Sequence, residues 1–445
     1  MSGLGNDNIS PTKASERNMG LMGTIFLWVA ATMVIPTVMT GQMFIPDLSP
    51  KMAFSAVLLA SALGCVALAL TAVIGTKTGL PTFVIARSTF GIKGAKIFAI
   101  INLVILCGWG FIQGYLGALA LNKLLIGLFH VDNILLSIFI TQGIVLVVTI
   151  LGHTGIQKIE GLASSAMLIV ALVVIYSLLN QYGINELEDL PLSDTPTLTY
   201  AIAFDIVLAT AFSWMSLPCD YNRYCRSRVV SATGITIGYM LGTIIAMGLG
   251  ILVGGVSILN NMAPTYDASE ILSGQYGLAA ALVMFLSIVT TNIMTLYSVV
   301  MSAMSVAPKV KFRSFTFILG IVCLAGSYLQ ERLMASFFDW VLLVGTLVIP
   351  VFAIILADFY LVQKGTIDVN SVSSDQAPRY FYTNGYNLSA VVSYVISACF
   401  SFYFTYVEPL EIGSTAITFF FAAALYLVIK KCVSMTKSRD LITQI

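Results

Sequence analysis

Residues 26–44 read FLWVAATMVIPTVMTGQMF, and this stretch decides the fold class. It contains no charged residue and approaches the roughly 20 apolar residues that a helix needs to cross a bilayer. Pro36 removes a backbone donor in its middle, and Gly41 follows five residues later. Interrupted membrane helices are typical of secondary transporters, in which the freed backbone groups bind ions and substrate. The stretch therefore predicts a membrane protein with a broken first span.

The whole chain has the composition of a membrane protein. Of its 445 residues, 58% are hydrophobic and 10% are charged, and the mean hydropathy is +0.93. A soluble domain of this length does not carry so much apolar surface. A bilayer accepts that surface if the backbone groups are bonded within helices. The composition predicts an all-α polytopic protein.

Apolar stretches long enough to span occur twelve times along the chain. They lie at about 21–44, 53–76, 97–124, 134–152, 160–180, 199–218, 229–258, 276–306, 314–330, 335–362, 387–407 and 414–430. With the N-terminus on one side, 19 of the 22 Lys and Arg residues fall on that same side; the exceptions are Lys51, Lys123 and Arg332. The positive-inside rule then predicts cytoplasmic N- and C-termini in a cell inner membrane.

The sixth span, five after the first, is also predicted to be interrupted. Residues 203–227 read AFDIVLATAFSWMSLPCDYNRYCRS, and the break is expected between Thr210 and Ser216. Corresponding breaks in two halves of a transporter point to the binding site. Asp205 is the only acid predicted well inside a span. It suits either a coupling group or a partner for the positive end of a helix dipole.

Few polar side chains occur inside the other spans, and each is costly there unless it faces a partner or a cavity. In the third span, residues 108–115 read GWGFIQGY and place Trp109 and Gln113 on one helix face. In the eighth span, residues 286–298 read LSIVTTNIMTLYS and cluster Ser287, Thr290 and Thr291 beside Asn292. These side chains are the candidates for a buried polar site.

Four segments of the chain resemble motifs of the nucleobase:cation symporters, the purine and cytosine permease family. They are GTKTGLPTFVIARSTFGIKGA at 75–95, PCDYNRYCRS at 218–227, IVTTN at 288–292 and ILADFYLVQKG at 355–365. The resemblance implies the leucine-transporter type of fold, with two inverted five-helix repeats and two appended helices. It is nearest to the cytosine permease-like and hydantoin-transporter-like members.

The resemblance also implies roles for single residues. Trp109 matches the third-span tryptophan on which the heterocycle stacks, and Asn292 matches the asparagine that reads its amide edge. Thr290 and Thr291 match sodium-coordinating hydroxyls, and the backbone carbonyls near Val34, Thr37 and Ser287 complete the shell. No other cofactor is implied.

The chain departs from the family's pattern in two places. The cytosine permeases carry a glutamine three residues before the tryptophan, where this chain has Leu106, and Gln113 instead resembles the hydantoin-transporter branch. The sixth-span aromatic residue that faces the substrate can be Phe212 or Trp214, which flank Ser213. The substrate within the heterocycles therefore stays open.

The family resemblance divides the chain into a core and its flanks. The predicted parts are a cytoplasmic tail at 1–20, a transport core at 21–362 with repeats at about 21–180 and 199–362, a cytoplasmic loop at 363–386, spans 11 and 12 at 387–430, and a cytoplasmic tail at 431–445. The sequence predicts a monomer that binds a small heterocycle, sodium and lipid but no nucleic acid.

The predicted function is import of a nucleobase or related heterocycle by sodium symport with alternating access. The first rival is a proton-coupled permease of the same fold, for nucleobases or for a pyrimidine precursor of thiamine, with Asp205 as the proton site. A channel and an intramembrane enzyme are remoter. The sequence has no HExxH, GxSxG or P-loop pattern, and its two histidines, His130 and His153, lie at span ends. We expect no enzyme activity.

Overall fold

The computed structural model is nearly all helical. It describes Gly5 and residues 7–188, 190–263, 265, 267, 274–329, 331–374 and 378–442. Strand pairing among these residues is limited to two isolated bridges, one of which joins Met19 to Cys225. The all-α prediction is confirmed.

A helix stands at each of the twelve predicted spans, although several helices extend five or more residues beyond the predicted bounds. The first span comprises α1 (Leu21–Thr32) and α2 (Ile35–Gln42), and the next four are α3 (Pro50–Thr78), α5 (Ile92–Phe129), α6 (Ile134–Ile150) and α7 (Gly152–Tyr182). The sixth is α9 (Tyr200–Ser213) and the seventh to ninth are α11 (Arg228–Leu259), α12 (Gly274–Val306) and α13 (Phe312–Ser327). The last three are α15 (Phe337–Ala357), α17 (Leu388–Phe402) and α18 (Thr415–Ile442).

Short helices connect these spans. They are α4 (Thr82–Phe90), α8 (Ile184–Glu188), α10 (Pro218–Asn222), α14 (Glu331–Ala335) and α16 (Val369–Ser373). Within the described residues, eight helices are long and apolar enough to cross a membrane, nine with the bent pair α1 and α2. The shorter apolar helices α6, α9 and α13 stand where the fourth, sixth and ninth spans are predicted.

The first span breaks where its proline predicts. α1 and α2 meet at an angle of 60°. Val34 has an extended backbone, with φ −134° and ψ 151°, and Pro36 lies in the first turn of α2. A proline is tolerated there because the first amides of a helix have no helical partner. The break therefore leaves backbone groups near Val34 for other contacts.

The sixth span is interrupted inside the predicted interval. α9 ends at Ser213, a 3₁₀ turn covers Trp214–Ser216, and α10 begins at Pro218. The tighter turn rotates the chain relative to α9, because a 3₁₀ turn holds three residues and an α turn 3.6. The two interrupted spans are five apart in order, as expected for a 5+5 repeat.

Close packing around the first span depends on small residues of α11 and of α2. A Cβ on Gly242 would lie 2.1 Å from Thr32 Oγ1, and a Cβ on Gly41 would lie 2.0 Å from the Met247 carbonyl oxygen. Small residues let membrane helices approach each other in this way. The α11 helix thereby holds α1 and α2 in their bent arrangement, and α12 packs on α5 beside them. The C-terminal helices α17 and α18 pack on each other and on α15, at the edge of the bundle.

Candidate functional site

The end of α1 and the middle of α12 meet at the predicted ion site. At the break, the Val34 amide donates to the Thr32 carbonyl at 3.0 Å, whereas a continuous helix would direct it to Ala30. Thr291 Oγ1 lies 3.1 Å from the carbonyl oxygen of Ala30 and 3.4 Å from that of Ala31. The α12 hydroxyl thus contacts carbonyls that the break has freed from the helix.

The oxygens around Thr291 include more acceptors than there are protons to share. Thr291 Oγ1 is also 2.9 Å from the Ser287 carbonyl oxygen, to which the Thr290 hydroxyl can donate at the same distance. One hydroxyl carries one proton, so Thr291 donates to one of its three carbonyl neighbours. Thr290 and Thr291 are both buried. A buried cluster with surplus oxygen lone pairs suits a small cation.

The other predicted ion ligands lie close by. The Val34 carbonyl accepts from the Thr37 and Val38 amides at 2.9 and 3.2 Å, at the start of α2. The Val34 side chain belongs to the same buried cluster as Ile288. The Ser287 hydroxyl donates to the Met284 carbonyl, while its own carbonyl belongs to the cluster described above. Ion coordination by Val34, Thr37, Ser287, Thr290 and Thr291 stays a prediction. The sequence did not indicate that the Ala30 and Ala31 carbonyls would lie beside Thr291.

A network of amides extends from Asn292. Its Nδ2 donates to Gln142 Oε1 of α6 at 3.3 Å. Gln142 Nε2 in turn donates to the Gly110 carbonyl at 2.9 Å and to Ser327 Oγ at 2.8 Å. Asn292 is fully buried, and its Oδ1 has no hydrogen-bond partner among the described residues. An acceptor without a donor is costly in such a site, so Asn292 Oδ1 is available to a ligand N–H.

Trp109 and Gln113 approach this network from α5. Gln113 is buried, and its Oε1 accepts from the Thr295 hydroxyl at 3.2 Å. The half-buried Trp109 packs in a cluster that includes Val34 and Ile288. The structure therefore brings Trp109, Gln113 and Asn292 to the same region between the third and eighth spans. These side chains are packed into the bundle, so a ligand reaches them only after helices move.

The sixth span directs its two aromatic residues to different neighbours. Phe212 packs on Phe419 of α18, with ring centroids 4.7 Å apart. Trp214 lies edge-on to Trp28 of α1, at 6.4 Å and an interplanar angle of 78°. The Ser213 hydroxyl donates to the Thr210 carbonyl at 2.7 Å within α9. Trp214 is thus the residue of the two that faces the first span.

The sequence matches, over residues 11–429, the family described as permease for cytosine/purines, uracil, thiamine, allantoin. The chain belongs to this permease family. A purine-uracil permease of Arabidopsis thaliana is 27% identical over 431 residues, which cover 88% of this chain and 70% of that protein. An allantoin permease of Bacillus subtilis is 26% identical over 445 residues, which cover 92% and 89%.

A solved structure supports the fold of the permease. It is that of Mhp1, a nucleobase-cation-symport-1 family transporter, in a closed conformation with bromovinylhydantoin bound. The TM-score is 0.84 at 20% identity, and the match covers 97% of this chain and 96% of Mhp1. Its family and this fold together make the permease a multi-pass membrane transporter for small heterocycles of the nucleobase and allantoin type. It is not an enzyme.

Asp205 of the permease lies away from the cluster around Thr291. Its carboxylate accepts from the Ser414 amide at 3.1 Å, from the Thr415 amide at 3.1 and 3.3 Å, and from the Thr415 hydroxyl at 2.9 Å. These donors stand at the N-terminus of α18, where backbone amides lack helical acceptors. Asp205 thus caps a helix from a distance, and a coupling role for it stays a prediction.

The expectation that Asp205 is the only acid well inside a span is wrong. The fifth span was predicted to begin at residue 160, but α7 begins at Gly152. Glu160 therefore lies two helical turns inside α7 and is fully buried. The predicted boundary was wrong because residues 152–160 contain Lys158 and other polar residues, which lower the local hydropathy although the segment is helical. Sequence reasoning also missed Gln142, a lone amide in the apolar fourth span.

Proposed function

We propose that this permease imports a nucleobase or a related heterocycle by sodium symport with alternating access. One observation carries the coupling: Thr291 of α12 contacts the Ala30 and Ala31 carbonyls at the end of α1. A sodium ion between α1 and α12 would accept lone pairs that the single Thr291 proton leaves unused. It would also hold the two helices together.

The proposed substrate site has side chains suited to binding a flat ligand with N–H groups at its edge. Trp109 from α5 and Trp214 from the interrupted sixth span offer aromatic faces, and stacking on an aromatic side chain contributes about 1–3 kcal/mol per base. Asn292 Oδ1 offers a buried acceptor that has no partner among the described residues. Each net hydrogen bond adds about 0.5–1.5 kcal/mol. Two stacks and a few hydrogen bonds reach about the 8 kcal/mol of micromolar binding.

The coupling sites are neutral, which suits transport driven by membrane potential. Carbonyls and hydroxyls do not cancel the charge of the ion, so the loaded permease moves one positive charge. That charge is worth about 2.3 kcal/mol per 100 mV. At about 1.4 kcal/mol for each tenfold concentration ratio, this energy supports roughly fifty-fold accumulation of substrate.

We further propose that the permease lies in the inner membrane with both termini in the cytoplasm. Reporter fusions at residue 445 and in the loop before α18 would test this topology.

The test is uptake of radiolabelled heterocycles into proteoliposomes with and without a sodium gradient. The panel contains cytosine, uracil, adenine, hypoxanthine, allantoin and hydantoin, so that it covers the substrate types of the family's description. We expect saturable uptake of at least one compound that requires sodium on the same side. Sodium-independent uptake that follows a proton gradient would favour the proton-coupled rival, and unsaturable flux would favour a channel.

A further inference from the structure

Glu160 on α7 is a buried acid with no role in the sites described so far. None of its surface is accessible, and neither carboxyl oxygen has a hydrogen-bond partner within the described parts of the chain. An ionised carboxylate without partners is too costly to bury. A cation must therefore accompany Glu160, either as a bound proton or as a metal ion.

The position of Glu160 relates it to the transport path. One turn further along α7, the Ser164 hydroxyl lies 2.6 Å from the Phe26 carbonyl oxygen of α1. Phe26 is one turn, about 6 Å, from Ala30 at the ion site. Glu160 therefore lies near the α1–α7 contact, within a few turns of Thr291. Helix movement that opens this side of the bundle would bring water to its carboxyl group.

The titratable groups beside Glu160 do not neutralise it, since Lys158, two residues earlier on α7, is exposed whereas Glu160 is fully buried. Tyr221 of α10 interacts with it electrostatically. The Tyr221 hydroxyl, however, donates to the Met294 carbonyl of α12 at 2.9 Å. His153, two turns earlier on α7, stacks on Tyr224 with ring centroids 3.8 Å apart, and neither of its ring nitrogens has a partner among the described residues.

The remaining elements around α7 supply no cation at Glu160 within the described residues. α1 and α6 contain no titratable side chain. The titratable and charged groups on the other packed elements and at this end of the bundle are Asp7, Asp220, Arg223, Arg228, Tyr239 and Tyr297, with Glu186 on α8 beyond the far end of α7. Arg223 donates to the Asn8 carbonyl, Tyr224 and Tyr297. Both terminal nitrogens of Arg223 are therefore engaged elsewhere, and its Nε donates to no described residue, Glu160 included.

We propose that Glu160 is a proton-binding site of the permease. Its carboxyl group is protonated in the closed state, and the O–H bond breaks when α1 and α7 part, so that the proton passes to water and the carboxylate remains hydrated. This inference adds a proton to the proposed sodium cycle, and so it rests on that transport cycle. It places the site on the fifth span, apart from Thr291 and from Asp205.

The first test needs neither substrate nor sodium. Purified full-length protein is melted between pH 5.5 and 8 as wild type, Glu160→Gln and Glu186→Gln, the last being an exposed acid on α8. Above about pH 5 a glutamic acid in water is ionised. Unfolding of the wild type then releases a proton, and its equilibrium constant rises by up to tenfold per pH unit. Glu160→Gln should lack this rise of the unfolding equilibrium constant with pH, and Glu186→Gln should keep it.

Other titrating groups do not affect the comparison of pH profiles between the wild type and the variants. Burial raises the pKa of the Asp220 carboxyl to about 6, so it titrates in the same range in all three proteins. Damage to packing by Glu160→Gln would lower the melting temperature at every pH without changing the slope. Glu160→Met serves as a second neutral variant if the glutamine fails to fold. Parallel pH profiles for the wild type and a folded neutral variant would overturn the proposal.

The second test distinguishes a proton from a metal ion and uses substrate. With uracil, and in a separate series with allantoin, proteoliposomes containing a pH dye report proton movement while ²²Na⁺ reports sodium movement. Glu160→Gln should lose substrate-driven proton movement and keep the sodium stoichiometry. Loss of one sodium per substrate in this variant would show that Glu160 holds sodium, against the proposal. If neither compound is transported, the proposed function fails on these substrates, while the melting comparison still decides the proton site.

Discussion

At the scale of single residues, Asn292 has the clearest signature of a ligand contact. Its Nδ2 is bonded to Gln142, while its Oδ1 has no partner in the described structure. Asn292→Ala removes that acceptor and leaves a substrate N–H buried and unpaired, at about 1–3 kcal/mol. We expect the Kd of the transported heterocycle to rise roughly 5- to 150-fold in equilibrium binding.

Asn102→Ala is the matched control for Asn292→Ala. Asn102 is a buried asparagine of α5, but its Nδ2 donates to Ser302 Oγ of α12 at 3.0 Å, away from Trp109. Its loss should lower the melting temperature and leave the Kd unchanged. Equal effects of the two variants on the Kd would mean that Asn292 acts through packing.

The two sixth-span aromatics provide a second comparison between residues. Trp214 faces Trp28 of the first span, and Phe212 faces Phe419 of the last helix. Trp214→Ala should therefore weaken substrate binding by about 1–3 kcal/mol, or roughly 5- to 150-fold, through the lost stacking face. Phe212→Ala should lower the melting temperature and bind normally. The reverse pattern in binding and melting would assign the stacking role to Phe212.

At the scale of elements, the break in the first span is what frees the Ala30 and Ala31 carbonyls. Pro36→Ala restores an amide donor and lets α1 and α2 approach one continuous helix. The sodium concentration for half-maximal substrate binding should then rise several-fold, because helical amides compete for those carbonyls. Pro350→Ala is the control, since Pro350 lies inside α15 without a break. Unchanged sodium dependence in Pro36→Ala would show that the break in the first span does not contribute to sodium binding.

The start of α18 is an element whose stability depends on a distant residue. Asp205 bonds the Ser414 and Thr415 amides. Asp205→Asn keeps one acceptor oxygen but removes the charge, and helix caps contribute about 0.5–2 kcal/mol. The melting temperature should fall by a few degrees, while the pH dependence of transport stays that of the wild type. A lost or shifted pH dependence would instead give Asp205 the coupling role.

At the scale of the whole molecule, hydropathy and charge predicted the spans, because a bilayer constrains segment length and composition directly. The two breaks were predicted from Pro36 in the first span and from the corresponding position of the sixth span. The burial of Thr290, Thr291 and Asn292 between helices was also predictable, since polar side chains are rare in these spans. The contact of Thr291 with the Ala30 and Ala31 carbonyls was not, because a backbone carbonyl's position depends on helix register and not on its side chain. The cap formed by Asp205 joins residues more than 200 apart, so no local pattern indicates it.

The central claim is that sodium binds between α1 and α12 and promotes substrate binding. The most direct measurement is substrate binding at several sodium concentrations for wild type, Thr291→Val and Thr316→Val. Thr316 is a buried threonine of α13 whose hydroxyl donates to the Phe312 carbonyl of its own helix. Valine keeps the shape of threonine and removes one oxygen.

We predict that Thr291→Val raises the half-maximal sodium concentration by roughly 10- to 150-fold, given about 1.5–3 kcal/mol for a contact with a charged group. Substrate affinity should fall at low sodium far more than at high sodium, because linkage between the two ligands is reciprocal. Thr316→Val should match the wild type. A wild type without sodium dependence, or a Thr291→Val variant with the wild-type dependence, would contradict sodium symport through this site.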